Sequence, residues 1–417
     1  MISFQKPPRI LDCLKEEDLY VSWLFCQPIY MRSRINTKLG VRVTHGMRRS
    51  VETLIIGGGF AGLLTASRIP GAVVFEENPH VGIPPHCTGL VSEDTVRLIG
   101  SPAKESMIAR YRSIVVERLK GGEIVNLVPD QAVVKLDRVL LEKILEAEAI
   151  NQGSAVYTKA RVLDISDNSI IVSSKNGVHR YTGSLVIIAE GSQQRFSRSL
   201  GLVRKPELLV GIQGFAKTHG GLDEEEIYVF VDDEIFRDFF GWLVPLDTRT
   251  ALVGMATRLR DTHNKRLGLF LRILYKRKLL AESMLTRMYG GLVVRGSPLE
   301  KHHTGSIVAV GDASNFTKPF SGGGLYPSSV QIGTLASKLR RHEPVEALIR
   351  YASEIREYVE SLKRQLAITR IFGKLGIERT LLMLSRLNIL KSTESFNYDY
   401  HDKSLYTKLK KLIGMRS

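Results

Sequence analysis

A glycine-rich turn between a predicted strand and a predicted helix constrains the fold more than any other segment. Residues 57–62 read Gly-Gly-Gly-Phe-Ala-Gly and match the pattern G-x-G-x-x-G. The apolar residues 51–56 are predicted to form a buried strand, residues 61–68 a helix, and residues 72–76 the next strand. This β-α-β arrangement indicates a parallel sheet that binds a dinucleotide.

Each glycine of the turn has its own physical task in such a site. Gly57 permits the tight turn, Gly59 lets the backbone approach a pyrophosphate, and Gly62 lets helix and strand pack closely. From Ala61 onward the helix offers free N–H groups and the positive end of its dipole to the phosphates. Glu76 ends the second strand, where a carboxylate can accept hydrogen bonds from a ribose. The alternative is an ordinary glycine-rich turn beside a surface glutamate, which the flanking strand and helix disfavour.

Residues 307–325 carry features that an FAD site needs and that a site for a nicotinamide dinucleotide alone does not. Residues 307–310 are predicted to form a buried strand, and a glycine and Asp312 follow it directly. The strand aims the Asp312 carboxylate at the mouth of the nucleotide site, where it can bind a ribityl hydroxyl of FAD. Residues 321–325 then open a helix, and its N–H groups near Gly324 and Leu325 suit a flavin edge that becomes negative on reduction. We therefore predict FAD as the cofactor; the alternative is a strand, a turn and a glycine-capped helix.

The composition bounds the size and the partners of the protein. The chain has 417 residues, of which 43% are hydrophobic, enough for one joined two-domain unit or for two to three domains. The net charge of +16 favours an anionic partner, such as nucleic acid, a phospholipid surface or a phosphate-bearing cofactor or substrate. A solvated basic face is the alternative. We expect no nucleic-acid partner, because no nucleic-acid motif is recognisable.

The ends of the chain and its cysteines indicate a compartment. No apolar run predicts a transmembrane helix and no signal-peptide pattern opens the chain, so we expect a cytoplasmic protein. Cys13, Cys26 and Cys87 are scattered, which argues against a disulfide framework or a metal site. Residues 1–46 lack periodicity and precede Met47, so we hypothesise an extension outside the working fold. Mass spectrometry of the native N-terminus tests this hypothesis.

The tail carries a pattern typical of membrane surfaces. Leu405, Leu409, Leu412 and Ile413 fall on one helical stripe flanked by lysines. This pattern favours a peripheral contact with anionic headgroups on the inner face of a membrane. A terminal helix that docks on its own protein is the alternative.

Taken together, these motifs resemble the geranylgeranyl reductase family, within the p-hydroxybenzoate hydroxylase-like flavoproteins. The resemblance covers about residues 51–375. Residues 81–89, Val-Gly-Ile-Pro-Pro-His-Cys-Thr-Gly, resemble the family's G-x-P-x-x-C-x-G segment beside the flavin. The resemblance thereby nominates Cys87 and Gly89 as cofactor contacts.

Three further segments carry the resemblance. Arg138 resembles the arginine of a helix that contacts FAD, and Val162 stands where the family holds the adenine with backbone. The segment from Phe240 through Trp242 to Pro245 resembles a wall of the family's lipid pocket, although two of the usual residue types are replaced in it. Residues 185–191 resemble an A-D-G segment in which Glu190 replaces aspartate, so the acid has a longer reach.

The resemblance implies an FAD-dependent reductase that saturates double bonds of prenyl chains, such as geranylgeranyl groups of isoprenoid or ether lipids. The sequence does not identify the electron donor, which is NADPH, a ferredoxin-like protein or another reductant. One alternative is a flavin monooxygenase or halogenase of an aromatic substrate. Another is a non-catalytic prenyl-lipid carrier of the same fold.

Cys87 and His86 are the candidate catalytic residues, because an isolated alkene accepts a hydride only if a proton reaches its other carbon. His86 can activate the neighbouring thiol, although an inert cysteine and a structural histidine are the alternatives. Positive charge would gather at the methyl-bearing carbon, so the site should be dry and lined by rings. Phe239, Phe240 and Trp242 are candidates for that wall or are ordinary core residues.

The predicted fold class is α/β, with a Rossmann-like FAD/NAD(P)-binding domain, an antiparallel-sheet substrate domain and a helical C-terminal region. The predicted division of the chain is an extension (1–50), a discontinuous FAD domain (51–95, 131–205 and 301–345), a substrate domain (96–130 and 206–300) and a basic helical region (346–417).

Overall fold

The computed structural model describes residues 49–258, 263–393 and 395–400. The predicted extension of residues 1–46 and the apolar stripe of the tail lie outside the described residues. In chain order the strands are β1 (Arg49–Ile56), β2 (Val73–Phe75), β3 (Leu90–Ser92), β4 (Met107–Tyr111), β5 (Ser113–Arg118), β6 (Glu123–Pro129), β7 (Val133–Leu136), β8 (Ala155–Tyr157), β9 (Arg161–Ser166), β10 (Ser169–Ser174), β11 (Gly177–Ile188), β12 (Glu207–Lys217), β13 (Glu226–Val231), β14 (Gly241–Asp247), β15 (Thr250–Arg258), β16 (Thr286–Arg295), β17 (Ile307–Ala309) and β18 (Ser395–Phe396).

The helices of the described ranges lie between and after these strands. They are α1 (Phe60–Arg68), α2 (Glu93–Ile99), α3 (Ser101–Glu105), α4 (Arg138–Asn151), α5 (Arg195–Ser199), α6 (His263–Lys276), α7 (Leu325–Leu339), α8 (Pro344–Glu354), α9 (Arg356–Leu375) and α10 (Ile377–Arg386). Short 3₁₀ turns occupy Gly191–Gln193 and Gly311–Ser314. None of the helices in these ranges combines the length and the apolar composition needed to cross a bilayer.

The first sheet contains the predicted β-α-β unit at its centre. Its order is β8-β2-β1-β11-β10-β9, with β17 beside β11. Strand β1 pairs in parallel with β2 and β11, and β17 pairs in parallel with β11. Leu54, Ile55 and Ile187 are fully buried, as expected for continuous apolar strands covered on both faces. Because parallel strands end at the same edge, the turn of residues 57–62 and Gly311 come together there.

The second sheet joins distant stretches of the chain in the order β16-β12-β15-β14-β13-β5-β6-β18. Its neighbours are antiparallel except for β13 with β5 and β18 with β6, which are parallel. A small third sheet has the antiparallel order β3-β7-β4. A Rossmann-like sheet together with a mainly antiparallel sheet confirms the predicted α/β fold class.

The C-terminal region is helical only as far as Arg386 in its described part. Beyond it, the two-residue strand β18 pairs in parallel with β6, after the helices that fill most of this region. The inner faces of α9 and α10 pack against the second sheet, where Phe372 and Leu381 share a buried cluster with Val125. The two helices therefore form a wall over one part of that sheet.

Candidate functional site

The glycine turn has the geometry that its sequence pattern predicts. Gly57 has a positive φ of 102°, and a Cβ there would collide with the carbonyl oxygen of Ala189 at the end of β11. A Cβ on Gly62 would collide with the carbonyl oxygen of Gly57, so helix and strand approach each other closely. A Cβ on Gly59 would meet nothing within 4 Å. The turn therefore leaves open space at the N-terminus of α1.

Glu76 lies directly behind this turn. Its carboxylate accepts hydrogen bonds from the backbone N–H groups of Gly58 at 2.7 Å and of Asn78 at 2.8 Å. Burial raises the pKa of Glu76, and these two N–H groups oppose the rise. The contact with Gly58 positions the carboxylate at the start of the glycine turn.

A cavity of about 510 Å³ begins at the turn and extends to the second sheet. Its size is that of a small-molecule site. Predicted cofactor residues from separate segments line one end: Gly59, Ala61, Cys87, Gly89, Arg138, Asp312, Gly324 and Leu325. Apolar side chains from β5, β6, β13, β14, α9 and α10 line the other end, including Val116, Leu127, Val229, Trp242, Phe372 and Leu381. We call these the nucleotide end and the apolar end.

Asp312 and Arg138 both line the nucleotide end. A Cβ on Gly324 would lie 2.9 Å from Asp312 Oδ1, which places this carboxyl at the N-terminus of α7. Burial raises the pKa of Asp312 to about 6, and the charge of Arg138 opposes the rise. Arg138 is paired with Glu142, and among the described residues its buried Nε has no hydrogen-bond partner. That N–H donor is available for a ligand.

Cys87 and His86 have different surroundings. The Cys87 thiol lines the cavity and accepts a hydrogen bond from the backbone N–H of Gly89 at 3.3 Å. Although burial works against the charged form of Arg138, the neighbouring Glu142 and Cys87 raise its pKa, so the thiol lies beside a buried cation. His86 also lines the cavity, but it is exposed, and its Nδ1 lies 3.1 Å from the carbonyl oxygen of Gly290.

Lys135 is a buried cation beside Cys87 that sequence reasoning missed. Its ammonium donates to the carbonyl oxygen of Leu136 at 3.2 Å. Burial lowers the pKa of Lys135 from 10.5 to about 8, while the neighbouring Cys87 and Asp137 oppose the fall and Arg138 adds to it. A signal was present, because this lysine interrupts a strand whose four residues are all buried. Buried lysines with perturbed pKa values cluster at functional sites.

Aromatic rings form part of the cavity lining. Phe239 and Phe240 stack with centroids 4.1 Å apart, and Phe240 meets Trp242 edge-on. Gln213, a second residue that sequence reasoning missed, accepts hydrogen bonds at its Oε1 from Trp242 Nε1 at 3.3 Å and Thr88 Oγ1 at 2.9 Å. The indole is therefore held in one orientation without an unpaired polar group.

Several predicted residues lie outside the cavity lining. Gly57, Gly62 and Glu76 form the turn behind it. Val162 is buried in β9, and Pro245 accepts a hydrogen bond from Tyr111 with its carbonyl oxygen at 2.6 Å. Their predicted contacts with cofactor and lipid stay predictions.

Glu190 points its carboxylate into the protein. It accepts hydrogen bonds from the backbone N–H groups of Arg195, Phe196 and Ser197 at the start of α5. The longer side chain thus caps a helix, which gives the replacement of aspartate a structural reason.

No model of a known protein family matches the chain. An uncharacterized protein of Methanocaldococcus jannaschii is 24% identical over 366 residues, which cover 82% of this chain and 90% of that protein. Digeranylgeranylglycerophospholipid reductase 2 of Methanopyrus kandleri is 25% identical over 78% of this chain and 88% of its own length. The protein of the same name from Methanothermobacter thermautotrophicus is 25% identical over 81% and 91%, respectively.

Solved structures share the fold. A geranylgeranyl bacteriochlorophyll reductase-like protein from Thermoplasma acidophilum has a TM-score of 0.74 at 18% identity and covers 89% of this chain and 100% of its own. The p-nitrophenol 4-monooxygenase of Pseudomonas putida has a TM-score of 0.64 at 16% identity, with coverages of 88% and 98%. A flavin-dependent halogenase has a TM-score of 0.59 at 17% identity, with coverages of 89% and 71%.

The fold defines the class of the protein: it is the α/β fold of FAD-dependent hydroxylases and geranylgeranyl reductase-like proteins. Within that class the chain resembles the digeranylgeranylglycerophospholipid reductases at about a quarter identity over most of its length. The resemblance to the geranylgeranyl reductase family that the motifs predict is thus confirmed.

Proposed function

We propose that the chain is an FAD-dependent reductase that saturates double bonds in prenyl chains of isoprenoid or ether lipids. The observation that carries the proposal is the cavity itself, in which the nucleotide end continues into the apolar end. Bound in its reduced form, FAD would supply a hydride to the alkene. Relatives with this named activity support the choice of substrate class.

The residues at the nucleotide end fit FAD. Gly59 leaves room for a pyrophosphate at the N-terminus of α1, where free N–H groups favour anions. Glu76 would accept from the adenosine ribose and Asp312 from the ribityl chain. The unpartnered Nε of Arg138 adds a donor in the same space. The N-terminus of α7, at Gly324, would stabilise negative charge on the flavin edge.

The apolar end fits a hydrocarbon chain. Its wall consists of aliphatic and aromatic side chains from the second sheet and from α9 and α10, which exclude water from the reacting carbons. The ring faces of Phe240 and Trp242 stabilise the positive charge that develops when the alkene is protonated. Gln213 keeps the indole oriented for this task.

Cys87 is the proposed proton donor, because its thiol lines the cavity beside the nucleotide end. The S–H bond breaks as the new C–H bond forms, and the resulting thiolate is stabilised by the Gly89 N–H and by the cations of Arg138 and Lys135. His86 is exposed, so it is the second candidate for the proton and the less protected one.

Anaerobic reduction of a lipid tests the proposal. The full chain is loaded with FAD, reduced with dithionite under argon and incubated with lipids that carry geranylgeranyl chains. We expect the mass of the lipid to increase by two hydrogens for each double bond that is reduced, with oxidised protein as the matched control. Unchanged lipid together with an oxygen-dependent hydroxylated or halogenated aromatic product would assign the cavity to the alternative flavoenzyme class instead.

A further inference from the structure

The outer sides of α9 and α10 carry large apolar side chains that are exposed to solvent. Ile371 and Leu375 are 56% exposed, Met383 is 49% exposed and Leu387 is 55% exposed. Each pair is four residues apart, the spacing that places two side chains on one side of a helix, and Leu387 directly follows the last residue of α10. Single exposed leucines are ordinary, but two pairs of exposed large apolar side chains on consecutive helices make this side of the protein a candidate interaction surface.

Basic side chains accompany these stripes. The exposed ones along the same stretch of chain are Arg370, Lys374, Arg379, Arg386 and Lys391, of which Arg379 is ion-paired with Asp233 at 3.8 Å. Between residues 367 and 391 the sequence contains a single acidic residue, Glu378, whose carboxylate accepts from Arg118 at 2.7 Å. The surface therefore combines apolar side chains with an excess of positive charge, which is the composition of helices that lie in an anionic lipid interface.

The inner sides of the same helices line the apolar end of the cavity. Ile368 and Phe372 of α9 and Ile377 and Leu381 of α10 belong to its wall, and Leu390 follows directly after them. The two helices thus separate the outer stripes from the cavity by one layer of protein. A surface that contacts α9 and α10 from outside lies next to the apolar end.

We propose that the outer stripes of α9 and α10, with the basic side chains around them, dock the protein on an anionic lipid bilayer. We call this surface, Ile371, Leu375, Met383 and Leu387 with their five basic neighbours, the docking face. The inference rests on the proposed function in one respect: the bilayer is then the store of the prenyl-lipid substrate, and docking brings the apolar end to it.

Sedimentation of the full chain with vesicles tests the docking face without using activity. The vesicles contain phosphatidylglycerol and phosphatidylcholine in equal parts, or phosphatidylcholine alone. We expect the wild type to bind the anionic vesicles and to lose binding as salt rises. The double variant Leu375→Glu/Leu387→Glu should bind them about tenfold more weakly or worse, since it removes apolar contact and adds negative charge. Arg370→Gln/Lys374→Gln should weaken binding and flatten its dependence on salt.

A matched control is available on α8. Val345 and Ile349 are 52% and 57% exposed, but the acidic residues Glu343 and Glu346 accompany them. The double variant Val345→Glu/Ile349→Glu should bind vesicles as the wild type does. If this control loses as much vesicle binding as Leu375→Glu/Leu387→Glu does, the proposal is overturned.

Two further outcomes overturn it. Unchanged vesicle binding in the docking-face variants, with loss only on deletion of residues 404–417, assigns the contact to the tail. Wild-type self-association that the same variants abolish, without vesicle binding, assigns the face to a second copy of the chain. A different assay detects failure of the proposed function: the protein would then not reduce a prenyl lipid dispersed in detergent, whether or not it binds vesicles. Docking variants that keep this detergent assay but lose reduction of vesicle-embedded lipid support the inference.

Discussion

Replacing Lys135 by methionine removes a buried ammonium while keeping an unbranched apolar side chain of similar length. The ammonium donates a hydrogen bond to the carbonyl oxygen of Leu136 and lies near Cys87, Asp137 and Arg138. Burial lowers its pKa from 10.5 to about 8 in the folded protein. Since the unfolded chain keeps the ordinary value, the unfolded state binds more protons between these two pH values.

The sign and the size of the effect follow from this difference. A lysine with a lowered folded pKa makes the wild type more stable as the pH rises from about 8 to about 10.5, because the unfavourable buried charge is lost. A difference of about 2.5 in pKa corresponds to about 3 kcal/mol of unfolding free energy. We therefore expect Lys135→Met to be the more stable protein near neutral pH, and its advantage to shrink by about 3 kcal/mol over that range.

Urea denaturation at a series of pH values, followed by tryptophan fluorescence, measures the difference between variant and wild type. Subtracting the wild-type unfolding free energy from that of the variant at each pH removes the contribution of the groups that titrate equally in both proteins. Lys175→Met, at an exposed lysine, is the matched control and should show no trend with pH. A difference between Lys135→Met and wild type that stays constant from neutral to alkaline pH would show that the ammonium is not desolvated, and the argument for a functional cation beside Cys87 would fail.

Three further substitutions test the remaining parts of the site. Gly62→Ala should prevent FAD binding and lower the melting temperature, because a Cβ would collide with the carbonyl oxygen of Gly57; wild-type flavin content in the purified variant would refute this. Asp312→Asn should weaken FAD binding about tenfold or more near pH 8, as for a lost hydrogen bond to a charged group. Burial raises the pKa of Asp312 to about 6, so below that pH the wild-type carboxyl is protonated and the difference in FAD affinity between variant and wild type should shrink. Titration calorimetry at a series of pH values measures this difference. A difference that is equal at all pH values would contradict the role assigned to Asp312. With FAD at saturating concentration, Cys87→Ala should lower the rate of lipid reduction about a hundredfold or more, because it removes the general acid; an unchanged single-turnover rate would show that another group donates the proton.

Much of the fold could be predicted from the sequence because its signals are local. The order of apolar run, glycine turn and helix around residues 57–62 fixes a β-α-β unit whatever follows in the chain. The strand before Asp312 and the helix after Gly324 are visible for the same reason. The resemblance to a reductase family rests on these segments too.

The contacts of other side chains depend on long-range packing, which a single sequence does not reveal. Glu190 stands in the sequence where a similar segment has aspartate, and only the fold shows that its carboxylate caps the first turn of α5. Gln213 joins the site only because β12 brings it beside Trp242 and Thr88. No periodicity in a single sequence encodes such neighbours.

The sequence by itself determined that the chain carries a dinucleotide-type turn, a late Gly-Asp segment and an apolar aromatic wall, because each is a run of adjacent residues. Only the tertiary structure decided that these parts share one cavity, since its walls come from segments as distant as residues 116 and 381. It also decided that Lys135 is buried beside Cys87, because desolvation depends on everything that surrounds a charge and not on its neighbours in the chain.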